Sequence, residues 1–155
     1  MTHVNNSLAL IFRNQQKFKD ALTLMKKNLA IQLKYDEKRG LSNSYMNIGN
    51  IYYYEKKYLK AIEYDLKAQK IFREIGDNPS ADILDLNIAC FYFESGNLKL
   101  AEKYSDLCFN SSNILTKKLN TELILRLELK KFEISNKTKQ DKLLLLNKAI
   151  SCLKN

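Results

Sequence analysis

The sequence predicts an all-α protein, an α-solenoid of about three stacked helical hairpins with a degenerate helix pair capping its C-terminal end. Three observations predict it. Four glycines and one proline in 155 residues supply too few breakers for a fold of short strands. The chain repeats itself every forty residues. Within each repeat, apolar residues recur at the i, i+4 spacing of one helix face, as in Ile48–Tyr52 and Tyr58–Ile62.

Aligning the repeats forms matched columns. Leu8, Ile48 and Ile88 fall together, followed by the small residues Ala9, Gly49 and Ala89. Ile11, Ile51 and Phe91 precede the aromatic column Phe12, Tyr52 and Tyr92. Phe18, Tyr58 and Leu98 come next, then the alanine column Ala21, Ala61 and Ala101. The repeats are placed at about residues 3–40, 41–80 and 81–116 of a single domain spanning 1–155, with the cap at 117–155.

Taken in order, the first hairpin keeps the columns but has Asn5 and Asn28 where other residue sizes are expected. The second is the fullest. Gly49 lets the partner helix come close, Ala61 meets it there, and Tyr52 and Tyr58 fill the space on either side. A helical glycine costs about 1 kcal/mol relative to alanine, so packing has to offset it. In the third, Ile88, Ala89, Tyr92 and Ala101 repeat the pattern, and Glu94–Asn97 reads as its internal turn. Gly40 and Gly76 are read as left-handed caps ending the second helices, and Ser42 and Ser80, the latter behind Pro79, as starts of the next first helices. Each hairpin has an apolar flank that only the next hairpin can bury. The last forty residues depart from the columns: Phe132 continues the aromatic position, but Glu128, Leu129 and Asp141 replace the others. Two helices are expected there, at about 117–136 and 139–154, the latter with a stripe of Leu143, Leu146, Ile150 and Leu153.

The order Tyr45, Ile48, Gly49, Tyr52, Tyr58, Ala61 and Ala68 resembles the tetratricopeptide repeat signature. The period is that of its extended forty-residue variant. The resemblance covers about residues 3–115 and implies a right-handed solenoid whose first helices line a concave groove. It also implies a non-enzymatic scaffold or adaptor that binds a protein or an extended peptide. Carried over to this chain, the groove positions are Asn6, Ser7, Asn43, Asn47, Asn50, Tyr53, Tyr54, Asn87 and Phe93. Ser7, Asn47 and Asn87 share a column, and a carboxamide both donates and accepts, so a ladder of asparagines can grip a peptide backbone. Tyr53, Tyr54 and Phe93 add contact area of the kind that anchors interfaces. The basic positions of the family's terminal-carboxylate clamp are held here by Asn6, Ile83 and Asn87, so a carboxylate-terminated partner is not expected.

Enzymatic chemistry is not expected. His3 is the single histidine, and phosphate-loop, zinc-protease and nucleophile-elbow motifs are missing. Cys90, Cys108 and Cys152 form no close pair, which argues against a disulfide framework or a zinc site; no metal or cofactor is implied. The net charge of +9 sits mainly in the last quarter: residues 116–155 hold 10 basic against 4 acidic residues, where 1–115 hold 16 against 13. Lys130, Lys131, Lys137, Lys139 and Lys142 form a candidate basic patch for nucleic acid or an anionic surface, with Phe132 the lone interleaved ring. Further alternatives are a homodimer through the apolar edge of the first hairpin, and a sensor or regulatory part of a larger signalling or transcription-regulating protein. No apolar run is long enough to span a membrane and the N-terminal residues do not read as a secretory signal, so a cytoplasmic location is expected.

Overall fold

The computed structural model describes residues 2–108, 111 and 114–134. Seven helices follow one another among them: α1 (Thr2–Asn14), α2 (Phe18–Lys34), α3 (Lys38–Tyr54), α4 (Tyr58–Glu74), α5 (Asn78–Glu94), α6 (Leu98–Leu107) and α7 (Ile114–Ile134). Each packs antiparallel-hairpin fashion on its neighbours in the chain, and α7 also reaches α5. No described residue is in a strand. The chain is an all-α repeat solenoid, and the expected second cap helix at 139–154 lies outside the described residues.

The core is strung along the stack in three clusters. Ala9, Ala21, Met25, Ile48, Ile51, Tyr52, Ala61, Ile62, Ile88 and Phe91 form the first, drawn from α1 to α5. Ala68, Phe72, Ala81 and Leu84 join α4 to α5. Leu86, Ala89, Ala101, Cys108, Leu123 and Leu127 tie α5, α6 and α7. Full burial of each large apolar side chain is worth about 1.5–3 kcal/mol, so the stack is held by clusters shared between adjacent helices. Tyr58 and Tyr92 are half-buried at the cluster margins, Tyr92 packed on Tyr104 at 5.6 Å. Leu8 is exposed although its column mates Ile48 and Ile88 are fully buried. The reason is position: α1 ends the described stack, with helices on one side only.

The links between α1 and α6 are evenly spaced. Gln16, Asp36, Lys56, Gly76 and Gly96 all have positive φ, and each is followed by one N-cap residue and then the next helix. Gly76 and the 94–97 turn sit as the sequence suggests. Gly40 and Ser42 do not. Gly40 is buried inside α3, where a Cβ would lie 2.8 Å from the Glu37 carboxyl and 2.9 Å from Gln32 Nε2. Asp36 takes the left-handed position instead, a conformation aspartate tolerates better than most residues. Ser42 is buried one turn into α3 and donates to the Arg39 carbonyl. Asp77, rather than Ser80, is the cap of α5, accepting the Ser80 N–H.

Each junction between hairpins also buries a polar contact of its own. Ser44 donates to Gln32 between α3 and α2. Asp85 receives Gln69 and Arg73 between α5 and α4, the Arg73 bond being 2.8 Å. Asn120 on α7 accepts the Ser105 hydroxyl at 2.7 Å and donates to the Ser105 carbonyl at 2.9 Å.

Candidate binding groove

The odd-numbered helices lie side by side, and their side chains meet directly. Between α1 and α3, the Arg13 guanidinium lies 4.5 Å over the Tyr54 ring. Between α3 and α5, Tyr53 stacks on Phe91 at 4.7 Å. Between α5 and α7, Arg126 lies 4.6 Å over Phe93 and pairs with Glu94 at 2.8 Å. One surface is thus built from successive first helices, with rings and arginines along one margin.

Asn6, Leu10 and Arg13 of α1 and Asn47 and Ile51 of α3 line a cavity of about 30 Å³, with Ala9 and Met25 at its back. That is room for a water-sized group. The buried Asn28 carboxamide reaches up to it: Asn28 Nδ2 donates to Asn6 Oδ1 at 2.7 Å, and Asn5 Nδ2 donates to Asn28 Oδ1 at 2.8 Å. Asn6 therefore has its oxygen committed to Asn28. The asparagine ladder is not uniform. Asn6 and Asn47 come together at the cavity, while Asn43, Asn50 and Asn87 stand half-buried farther along, and Ser7 is exposed. Tyr54 is exposed, and Tyr53 and Phe93 are half-buried under their stacking partners.

The least expected feature lies behind this surface. Asp65 of α4 is fully buried, and neither carboxyl oxygen receives a hydrogen bond of ordinary geometry. Burial raises its pKa well above the usual 3.8; the Asn87 carboxamide, which favours the ionised form, offsets only part of this. A Cβ built on Gly49 would lie 2.1 Å from Asp65 Oδ1 and 3.2 Å from the Ala61 carbonyl. Gly49 and Ala61 face each other as the sequence suggests, but much of the room at Gly49 is taken by Asp65. A charged residue one helical turn beyond Ala61, in the column of Met25 and Ser105, was the sequence signal for it.

Of the basic patch, exposed Lys130 pairs with Glu133 at 3.2 Å, and Lys131 pairs with Glu102 at 2.5 Å and Glu128 at 3.2 Å. Lys137, Lys139 and Lys142 lie outside the described residues. Cys90 and Cys108 are free thiols, pushed up by burial to about 11 and about 12, so both are protonated at neutral pH and Cys108 acts as core. No metal-binding group of His, Cys, Asp or Glu occurs among the described residues, and none of their helices is long and apolar enough to cross a membrane.

In comparisons with known proteins, residues 1–74 match a family model described as a tetratricopeptide repeat. No curated protein matches the chain.

Proposed function

Because the chain belongs to the tetratricopeptide-repeat family through residues 1–74, we propose that it is a non-enzymatic scaffold whose groove of odd-numbered helices binds an extended peptide segment of a partner protein. The observation that supports this most directly is the convergence of Asn6, Asn47 and Arg13 on one cavity with apolar walls. Fixed carboxamides suit a peptide backbone, which offers both donors and acceptors at regular intervals. Tyr53, Tyr54 and Phe93 provide the apolar anchors beside them.

The test is binding of a chip-displayed random peptide library to the wild type and to Asn47→Ala combined with Asn87→Ala. The double variant is expected to lose at least about fivefold in affinity, since each lost carboxamide contact is worth about 0.5–1.5 kcal/mol. Equal binding by both proteins overturns the groove reading.

A second copy of the chain is the competing occupant for the first hairpin, where Val4, Leu8 and Ile11 are exposed on α1. Sedimentation equilibrium giving twice the chain mass, reduced to one mass by Ile11→Lys, would favour it. The basic-patch alternative requires binding to RNA or DNA that weakens steeply with salt. Two of its five lysines already face carboxylates.

A further inference from the structure

Two aspartates are fully buried among the described residues, Asp65 and Asp85. Asp85 has Arg73 and Gln69 against it. Neither Asp65 oxygen receives a hydrogen bond of ordinary geometry, and the Asn87 carboxamide, which lies near enough to favour the ionised form, offsets its burial only in part. A buried carboxyl without full compensation is unfavourable, and its presence calls for an explanation. The fold does not supply one. The same place in the first hairpin is Met25 and in the third Ser105, both buried. Nor is the backbone indifferent to it: Gly49 leaves open the volume Asp65 enters, where Ala9 and Ala89 stand in the other hairpins.

The location joins this acid to the groove. Its Oδ1 rests over Gly49, next in sequence to Asn50 on α3, and Asn87 on α5 is near enough to act on its ionisation. Asn87 is half-exposed. The carboxyl thus lies directly behind the groove wall where α3 and α5 adjoin.

We infer that Asp65 is an anionic subsite of the groove, which receives the cationic group of a basic residue in the bound peptide. This rests on the groove reading above and names the ligand chemistry it selects. A lysine or arginine has the reach: its aliphatic stem crosses the Tyr53 side of the groove and its charged head enters as the Asn87 side chain turns aside. The ligand supplies the counter-charge that the free protein lacks at this point. A charged hydrogen bond out of water is strong and leaves a large penalty when one partner is removed.

The experiment uses the full chain and a random heptapeptide library on a chip. Wild-type binders are expected to carry Lys or Arg at one fixed position. Replacing that residue by norleucine or citrulline should weaken wild-type binding about tenfold and binding to Asp65→Asn less than about twofold. Asp65→Ser, which copies the third hairpin, serves as the second variant; helical circular dichroism verifies that both fold. If acetylation of the peptide N-terminus, rather than norleucine, produces the wild-type-specific loss, the cationic group is the terminal amine and the subsite stands. Binders without a basic position, or equal penalties on wild type and both variants, overturn the inference. In that case sensitivity to Asn47→Ala with Asn87→Ala still upholds the groove. If no peptide binds, both fall together.

Discussion

Hairpins one and two place different chemistry at the same point of the same scaffold. Met25 is core, wrapped by the residues around Ala9 and Ile48; Asp65, forty residues on, is equally buried and carries a carboxyl that its surroundings do not satisfy. Hairpin three offers an intermediate, Ser105, whose hydroxyl is matched by Asn120. The stack therefore accepts an apolar, a satisfied polar or an unsatisfied acidic residue at this column without changing its backbone plan. The difference teaches that the column is a place where stability can be given up in one hairpin while its neighbours hold the array together.

The sharpest way to break this comparison is to copy the acid into the first hairpin. Met25→Asp should cost about 3 kcal/mol or more at pH 7, because it adds an unpaired buried charge and removes core packing. A urea denaturation midpoint equal to wild type would mean that acid at this column is cheap and Asp65 unremarkable. Next in size, Asn120→Ala should cost about 1–3 kcal/mol by leaving the buried Ser105 hydroxyl without its acceptor. The same denaturation measurement checks it.

Asp65→Asn should instead gain about 1–2 kcal/mol at pH 7. The sign of its pH dependence follows from a pKa raised in the fold. The folded protein holds the Asp65 proton more tightly than the unfolded chain, so this contribution is fully present below about 3.8 and is lost as pH rises above it. The stability gap between variant and wild type should accordingly widen from pH 4 to pH 7. Asp85 is raised in the same direction, burial outweighing Arg73, but it is common to both proteins and cancels. A gap that stays constant or narrows would show that Asp65 does not drive it. The smallest effect is a coupling. Gly49→Ala should destabilise the wild type, where the new Cβ meets Asp65, and be neutral or stabilising in Asp65→Ser, with an interaction of about 1 kcal/mol in a double-mutant cycle.

Much of the fold was legible because helix packing writes itself into spacing. Ile48, Gly49, Tyr52, Ala61 and their column mates state directly which faces meet. The Gly76 and Gly96 links were legible for the same reason, glycine being the residue that takes positive φ most readily. The links at Gln16, Asp36 and Lys56 were not, since nothing in a glutamine or a lysine announces a left-handed turn. Gly40 drew the boundary a few residues late because its use is close packing against Glu37 and Gln32, which composition cannot separate from a cap. The candidate site was legible only as a row of asparagines. Which of them share a cavity, and that Asn28 fixes the orientation of Asn6, depends on contacts between residues more than twenty apart. Asp65 was hidden because a lone acid in a polar-looking helix is ordinarily solvated surface; the packing of α3 at Gly49 and of α5 at Asn87 encloses it.

The regular placement of the left-handed links, at 16, 36, 56, 76 and 96, has an architectural consequence. Every joint from α1 to α6 uses one backbone geometry, so the chain has no privileged seam between units. A forty-residue cassette such as 38–77 could be copied in tandem and would meet its neighbours through joints they already make. The channel would lengthen by one rung, carrying a second Asn47 and a second Asp65 at the spacing of the first. If the proposed groove binds peptides, selectivity for longer guests with evenly placed charges would then be a matter of gene duplication rather than of inventing a new surface.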